Sequence, residues 1–219
     1  MTMLRIGLTG GLASGKTFVG HALRDLGCHL IEADELGHQV LLPGGEAYAA
    51  VIHEFGEGIL DEDRHINRQR LGELVFGKPE LLAKLSDLVH PPVAKRQERE
   101  LAAIAQSDPG AIVVVEAAIL VETGSYKKFD KLIVVVCSPE QQMERALKRG
   151  AYTREEVLAR LSRQLPLEEK LRVADYVIDT SGTKENTLEQ VRGLYQSLAS
   201  LSGSSTVSGS SSVPGSSSV

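Results

Sequence analysis

The sequence lacks three features that would place it in a specialised class of protein. It has no excess of positive charge, since 24 Lys and Arg stand against 29 Asp and Glu and the formal net charge is −5, whereas a nucleic-acid-binding domain is usually basic. It has no apolar run near the roughly 18 residues that span a bilayer, and Arg5 and Gly7 interrupt the N-terminus before a signal-peptide core develops. Its two cysteines, Cys28 and Cys137, are too few for a disulfide framework and lack metal-site spacing. We therefore expect a cytoplasmic protein with reduced thiols and with neither nucleic-acid nor membrane partners.

What the sequence does contain is the composition of a folded chain, except at its end. Of 219 residues, 42% are hydrophobic and 24% are charged, so a sizeable core can form. Residues 202–219 hold ten Ser and three Gly in three similar hexads. Because this segment offers little apolar area to offset the entropy of ordering, we predict a disordered tail. A partner-binding tail is the alternative.

Five short apolar segments are predicted to form a parallel sheet. Most are runs of Ile, Val and Leu without polar alternation, which is typical of strands covered by helices on both faces. The predicted strands are Leu4–Thr9, Cys28–Ile31, Ala111–Glu116, Leu132–Cys137 and Tyr176–Asp179. The predicted helices are about Lys16–Leu26, Glu140–Arg149, Arg154–Gln164 and Lys184–Ala199. Capping boxes at Ser138 and Thr153 mark two of the helix starts. The expected fold class is α/β.

A long segment without a clear strand separates the second and third predicted strands. It is too long for a simple crossover, so residues 35–110 are predicted to be a helical insertion beside the strand ends. Pro and Gly punctuate it, notably at Pro43–Gly45 and at His90-Pro91-Pro92. The expected domains are therefore a core of residues 1–34 and 111–201, this insertion, and the tail.

One motif carries most of the chemical information. Residues 10–17 match G-x-x-x-x-G-K-[ST] between a predicted strand and a predicted helix, which is the context that this motif requires. Its backbone N–H groups can surround phosphate oxygens, Lys16 can reach the β and γ phosphates, and Thr17 can ligate Mg²⁺. A Gly-rich turn with a surface lysine is the weaker alternative. The motif predicts a nucleoside triphosphate site that consists of Gly10, Gly11, Leu12, Ala13, Ser14, Gly15, Lys16 and Thr17.

Asp34 is the candidate for the group that acts on a phosphoryl acceptor. It follows the second predicted strand, at the edge where open α/β sheets bind ligands. If that strand neighbours the first, the carboxylate lies near the γ-phosphate, where it can accept a hydroxyl proton or hold Mg²⁺ through water. Capping of the next helix is the alternative role. Residues 34–37 also match the D-x-x-G of GTPases, but the chain has no N-K-x-D guanine motif.

Basic residues cluster after the fourth predicted strand. Arg145 and Arg149 are four residues apart and share one helix face. Further basic residues follow at Lys148, Arg154, Arg160 and Arg163. An arginine over the phosphates stabilises the charge on a transferring phosphoryl group. We select Arg145, which lies a turn and a half beyond the strand, and interpret most of the others as a solvated helix face.

With these motifs the chain resembles the dephospho-coenzyme A kinases, which complete coenzyme A synthesis by phosphorylating a ribose 3′-hydroxyl. The resemblance covers about Leu4 to Leu198 and rests on motifs that occur in the family's order. They are Ile6–Thr17, Ile31–Asp34 (the family's I-D-A-D), Pro43-Gly44, Phe55-Gly56, Ile66–Leu71 with Phe76, His90-Pro91, Glu116–Glu122 (D-x-P-L-L-x-E), Gln141–Arg145, Arg160–Gln164 and Ala174–Asp179.

The resemblance implies a P-loop kinase with a five-stranded parallel core, an acceptor-binding insertion after the second strand and a short lid at about 145–165. It implies ATP and Mg²⁺ as cofactors, dephospho-coenzyme A as the small-molecule acceptor, Asp34 as the base and Arg145 as the lid arginine. The chain is expected to be a monomer or a weak homo-oligomer. Another small-molecule kinase of this architecture, or a nucleotide-gated switch without an acceptor, are the alternatives.

The resemblance also implies an acceptor site in and near the insertion. Because the acceptor is anionic at its pyrophosphate, it needs cationic partners. The cationic candidates are Arg68 and Arg70, and His90 and Leu120 are the further candidates for substrate binding. Pairing of either arginine with Glu73 is an equal alternative, and His90 can equally be a loop or helix-end residue oriented by Pro91.

Three positions depart from the family pattern. Glu32 replaces the first Asp of I-D-A-D, Ala118 replaces a Pro, and Thr180 stands where an Asn usually follows I-D. Ala118 is expected to change the loop beside the acceptor, and Thr180 is expected to weaken a contact near the adenine. Because none of them is the catalytic group, we expect effects on affinity more than on activity.

Overall fold

The computed structural model describes residues 2–148, 150, 153–162 and 164–203. Strands and helices alternate along most of these ranges. The elements are β1 (Leu4–Gly10), α1 (Lys16–Asp25), β2 (His29–Glu32), α2 (Ala33–Gln39), α3 (Tyr48–Phe55), α4 (Arg68–Val75), α5 (Pro79–Ser107), β3 (Ile112–Glu116), β4 (Lys131–Val136), α6 (Pro139–Lys148), α7 (Arg154–Leu161), α8 (Leu167–Leu171), β5 (Tyr176–Asp179) and α9 (Lys184–Ser202). Short 3₁₀ turns lie at Glu57–Ile59 and Ser125–Lys128.

The five strands form one parallel sheet in the order β2-β3-β1-β4-β5. This confirms the predicted fold class, and each strand begins and ends within one residue of its predicted bounds. The condition on which we placed Asp34 near the γ-phosphate is not met, because β3 lies between β2 and β1. The sequence shows where strands occur, but their order depends on which helix faces pack together.

Both faces of the sheet are covered by helices, as the apolar strands predict. Alternate residues of β3 point to opposite faces: Ile112 and Val114 pack with α1 and α9, whereas Val113 and Val115 pack with α2 and α5. All four valine and isoleucine side chains are buried. Full burial of such a side chain stabilises the fold by roughly 1.5–3 kcal/mol. The buried residues of β3 therefore hold the strand ends at the carboxyl edge of the sheet in place.

The segment between β2 and β3 is helical, as predicted, and it has a hydrophobic cluster of its own. The cluster joins α3, α4 and the first half of α5 through buried residues that include Val51, Ile59 and Leu71. The interpretation of His90 as a loop or helix-end residue was wrong, because Pro91 and Pro92 lie inside the 29-residue helix α5. Apolar packing of the residues on either side holds this helix together across the prolines.

The chain between β4 and β5 forms α6, α7 and α8. The predicted capping box of α7 is present, since Thr153 and Glu156 bond reciprocally. At α6 only half of the box forms, where the Gln141 N–H donates to Ser138 Oγ at 3.3 Å. The expectations for Arg149 and Arg163 lie outside the described residues.

Helix α9 is longer than predicted and ends in residues that we assigned to the tail. Ser202 is its last residue, and Gly203 caps it with φ of 71°. A left-handed glycine at this position is a common helix stop. The tail prediction for residues 204–219 lies outside the described residues. No helix within the described ranges is long and apolar enough to cross a membrane.

Candidate active site

Residues 10–17, hereafter the phosphate loop, turn tightly between β1 and α1. Gly10 must be a glycine, because a Cβ there would overlap the carbonyl oxygen of Val135. Gly15 has φ of 94°, in the left-handed region that favours glycine, and it is the N-cap of α1. The residues predicted to form a nucleotide site therefore lie together at the carboxyl edge of the central strand.

The phosphate loop presents positive potential at its centre. No side chain caps α1 in the described structure, and its first turn contains no acidic residue, so the positive end of the helix is open to an anion. Lys16 Nζ donates to the carbonyl oxygens of Gly10 and Gly11 at 3.3 and 3.1 Å. The ammonium is thereby held over the loop, where phosphate oxygens would accept its hydrogen bonds.

A buried carboxylate faces the phosphate loop from the neighbouring strand. Thr17 Oγ1 donates to Oε1 of Glu116 at 2.9 Å, and Glu116 is the last residue of β3. Its Oε2 is also buried and has no hydrogen-bond partner among the described residues. Burial is the main cause that raises the pKa of Glu116, and the carboxylates of Glu32 and Asp34 raise it further. The pKa is lowered in part by the Thr17 hydrogen bond and by the charge of Lys16.

Glu116 has a position in the site that its sequence context did not predict. The one sequence signal that could have identified it is that this single charged residue ends a fully apolar strand at the carboxyl edge of the sheet. Its meaning depends on the strand order, because only the placement of β3 beside β1 brings Glu116 to Thr17. The hydroxyl of Thr17 and the unpaired Oε2 of Glu116 are hard oxygen donors of the kind that Mg²⁺ prefers, so these residues fit the metal.

Asp34 lies close to this pair despite the unexpected strand order. Glu32 is in register with Glu116 across β2 and β3, and Asp34 follows two residues later in the first turn of α2. Its carboxylate is near enough to raise the pKa of Glu116. The capping alternative is wrong, because the N-cap of α2 is Glu32. Asp34 is exposed.

Arg145 reaches the phosphate loop from α6 through Thr180, the residue after β5. Its Nη1 donates to Thr180 Oγ1 at 3.0 Å and its Nη2 to the carbonyl oxygen of Thr180 at 2.7 Å. The same hydroxyl lies 2.7 Å from the carbonyl oxygen of Ser14. We expected Thr180 to weaken a contact near the adenine, and the structure shows that its hydroxyl joins Arg145 to the loop.

A cavity of about 440 Å³ opens beside Gly15, between the start of α1, α6 and the start of α9. Its wall combines the ring of Phe18 with the cationic side chains of Arg145 and Lys148. Because it adjoins the loop, a nucleotide with its phosphates on α1 can extend into it. An aromatic ring and small polar residues suit the stacking and edge contacts of a base.

The predicted acceptor residues are spread over α4, α5 and the loop after β3. Arg68 is exposed at the start of α4, and Arg70 donates from Nη1 to the carbonyl oxygen of Leu60 at 2.5 Å. His90 is exposed on α5, and Leu120 is buried in a cluster under the loop after β3. Within the described ranges no hydrogen bond or ion pair joins them to the phosphate loop. Their role in acceptor binding stays a prediction.

The segment after α7 is tied to the site at two points that the sequence did not indicate. Gln164 Oε1 accepts the N–H of Leu12 at 3.0 Å, which fixes the backbone of the phosphate loop. Beside it, Glu122 Oε1 accepts the N–H of Leu165 at 3.4 Å and pairs with Lys170 Nζ at 2.6 Å. Lys170 is only 1% exposed. The chain before α8 is therefore anchored to both the phosphate loop and the loop after β3.

Comparisons with known proteins agree with this geometry. A family model described as dephospho-CoA kinase matches residues 4–186. A dephospho-CoA kinase from Aquifex aeolicus is 41% identical over 196 residues, which cover 90% of this chain and 98% of that protein. One from Carboxydothermus hydrogenoformans is 41% identical over 191 residues, 87% of this chain and 92% of that protein.

Solved structures show the same architecture. The crystal structure of TT1252 from Thermus thermophilus superposes with a TM-score of 0.76 at 31% identity and covers 92% of this chain and 99% of that one. A dephospho-CoA kinase from Campylobacter jejuni superposes with a TM-score of 0.67 at 24% identity, with coverage of 90% and 97%. The second likeness supports the fold alone.

Proposed function

Because the chain belongs to the dephospho-CoA kinase family, we propose that it transfers the γ-phosphate of ATP to the ribose 3′-hydroxyl of dephospho-coenzyme A, with Asp34 as the general base. The chain is a kinase, and the reaction of its family is the last step of coenzyme A biosynthesis. The observation that carries the assignment of roles is the grouping of the phosphate loop, Glu116 and Asp34 at one sheet edge.

Phosphoryl transfer needs positioning and electrostatic stabilisation more than covalent chemistry from the protein. The backbone of the phosphate loop and the α1 N-terminus hold the β and γ phosphates. In the structure Lys16 Nζ bonds to the carbonyls of Gly10 and Gly11, and on nucleotide binding it turns these hydrogen bonds towards phosphate oxygens. The charge of Lys16 then compensates the charge of the phosphates.

The residues that would hold Mg²⁺ in this proposal are Thr17 and Glu116. An ion held by these two residues would supply positive charge that offsets the negative charge developing on the transferred phosphate. Glu116 is buried, and within the described part of the chain its Oε2 has no hydrogen-bond partner. A bound cation would supply that partner. The hydroxyl of Thr17 is already oriented towards the same carboxylate.

Asp34 takes the proton of the attacking hydroxyl, and Arg145 stabilises the transferring group. The Asp34 carboxylate is exposed, which supports its access to an acceptor. Arg145 presents its guanidinium from the cavity beside Gly15. A guanidinium matches phosphoryl oxygens in a two-pronged geometry that a lysine cannot reproduce.

The proposal includes the acceptor site and the setting of the enzyme. Arg68, Arg70, His90 and Leu120 are proposed to line the acceptor site, and residues 35–110 to be the acceptor-binding domain. The enzyme is proposed to work in the cytoplasm as a monomer or weak homo-oligomer. Its acidic net charge of −5 supports the absence of nucleic-acid partners.

The test is ADP release from MgATP with a panel of alcohols: dephospho-coenzyme A, adenosine, shikimate and no acceptor. We expect release that depends on dephospho-coenzyme A, with the new phosphate located on the 3′-oxygen by ³¹P NMR. Lys16→Ala is the matched control, because it removes the cation of the phosphate loop and should abolish turnover. Faster phosphorylation of another alcohol, or equal ADP release without an acceptor, would overturn the proposal.

A further inference from the structure

The Thr180 hydroxyl contacts Arg145, Ser14 and Val136, and the proposed reaction does not use it. Thr180 follows β5 directly and is only 5% exposed. Its backbone N–H donates to the carbonyl oxygen of Val136 at 2.9 Å, so its position at the end of the sheet does not depend on its side chain. The side chain is therefore not needed to hold Thr180 in place and can have a separate role in the site.

The two ends of this side chain contact different parts of the site. The hydroxyl lies 2.7 Å from the carbonyl oxygen of Ser14 and 3.1 Å from that of Val136. A hydroxyl has a single hydrogen, and the shorter contact with Ser14 is the better acceptor for it. The methyl group lies against Gly15, 3.2 Å from the position that a Cβ would occupy there. Thr180 thus restrains the Ser14–Gly15 step that begins α1.

Arg145 uses the remaining acceptor capacity of the same residue. Nη1 donates to the hydroxyl at 3.0 Å and Nη2 to the backbone carbonyl oxygen at 2.7 Å. Two donors on a planar guanidinium that bind two acceptors of one residue fix the plane of the group as well as its position. Removal of the hydroxyl leaves one bond, about which the guanidinium can rotate.

We propose that Thr180 is a positioning residue that sets the guanidinium of Arg145 and the Ser14–Gly15 backbone in register with each other before phosphoryl transfer. The inference rests on the proposed role of Arg145. It differs from the effect on adenine affinity that the sequence led us to expect, because the hydroxyl contacts the loop and the arginine directly. A fixed geometry of these groups contributes in the transition state more than in substrate binding.

Two substitutions separate the contributions of the side chain. Thr180→Val keeps its shape and removes the hydroxyl, whereas Thr180→Ser keeps the hydroxyl and removes the methyl group. We expect Thr180→Val to lower kcat by about tenfold with a smaller change in KM for ATP. Thr180→Ser should retain kcat within about twofold, since a hydroxyl at this position restores both hydrogen bonds. Thr180→Ala provides a second variant without the hydroxyl if valine impairs folding, which thermal melting will show.

The decisive measurement repeats Thr180→Val in an Arg145→Ala background. If Thr180 acts through Arg145, the loss of kcat caused by Thr180→Val should largely disappear there, because coupled residues are not additive. An unchanged kcat in Thr180→Val, an equal loss in Thr180→Ser, or a full loss in the Arg145→Ala background would each overturn the inference. If Arg145→Ala leaves kcat unchanged, both this inference and the proposed role of Arg145 fail. If Arg145→Ala lowers kcat but Thr180→Val does not, this inference alone is refuted.

Discussion

At the scale of single residues, the exposed carboxylate of Asp34 is the group that we propose as the general base. Asn in its place keeps the size of the side chain and the first turn of α2, whose N-cap is Glu32. It removes the oxygen that accepts the hydroxyl proton, and general-base assistance contributes roughly 10²–10⁴-fold. We therefore expect Asp34→Asn to lower kcat by that order while MgATP affinity, measured by calorimetry, stays near that of the wild type.

The combination of the two measurements makes this prediction specific. Turnover near the wild-type value would exclude Asp34 as the base. Weakened MgATP binding with an intact kcat would instead place Asp34 at the metal or the nucleotide. Glu35→Gln is the matched control, because Glu35 is a neighbouring exposed acid of the same helical turn and has no proposed role.

Glu116 gives a prediction about pH. Burial raises the pKa of its carboxyl above the ordinary value of 4.5, so the folded chain holds this proton more tightly than the unfolded chain. The stability that this group contributes is complete below about pH 4.5 and is lost as the pH rises through the raised pKa. Glu116→Gln, whose Oε1 can still accept from Thr17, should therefore lose less stability than the wild type over that interval in thermal melts without Mg²⁺.

The response to Mg²⁺ tests the proposed metal contact of Glu116 with the same two proteins. If Glu116 helps to hold the ion, added Mg²⁺ with nucleotide should raise the melting temperature of the wild type more than that of Glu116→Gln. The concentration of Mg²⁺ that supports half-maximal activity should also rise in the variant. Identical pH profiles and identical magnesium responses in the two proteins would contradict both the electrostatic origin of the shift and the proposed metal contact.

At the scale of secondary structure elements, the ion pair of Lys170 and Glu122 joins α8 to the loop after β3. The Lys170 side chain is 2% exposed and that of Glu122 is 16% exposed. Loss of one partner leaves an uncompensated buried charge, which costs about 3–5 kcal/mol. Lys170→Met should therefore lower the free energy of unfolding by this order in urea titrations.

A double variant is the control for this pair. Glu122→Gln combined with Lys170→Met removes both charges and should recover most of the lost stability, because the penalty comes from the charge left alone. Equal instability of the single and double variants would show that packing of the lysine stem, and not its charge, holds α8 in place.

The elements themselves follow from local sequence, whereas their arrangement does not. The apolar run of β3 and the capping box at Thr153 are local signals, and both elements occur where they were predicted. Helix α5 was not predicted, because Pro91 and Pro92 ordinarily interrupt a helix and only packing on both sides sustains it.

The candidate site likewise contains residues that local sequence identifies and residues that only the fold brings together. Residues 10–17 were identified by their spacing, which reflects contacts within one loop. Glu116 and Thr180 were assigned no such role, because they meet the loop only through the strand order and the end of β5. Contacts between residues far apart in sequence leave no pattern in a single sequence, so these two partners became evident only in the folded chain.

At the scale of the whole molecule, the composition of residues 204–219 predicts that they contribute nothing to the fold. They contain no apolar residue larger than valine, so deletion of 204–219 should leave the melting temperature and turnover unchanged. A deletion that starts at Leu198, which is fully buried, should lower the melting temperature by several degrees. A comparable loss in the shorter deletion would show that the tail packs against the enzyme.

Helix α5 determines how the insertion is carried on the sheet. Its 29 residues extend roughly 43 Å at about 1.5 Å per residue, whereas the five residues of β3 extend roughly 17 Å. Leu88 packs in the cluster of the insertion, Leu101 packs against the sheet, and Val93 touches both clusters. The C-terminal half of the helix is therefore fixed to the sheet, and its N-terminal half carries the insertion. Pro91 and Pro92 remove two backbone hydrogen bonds next to Val93. The helix therefore bends most easily at the position that sets the angle between the insertion and the sheet.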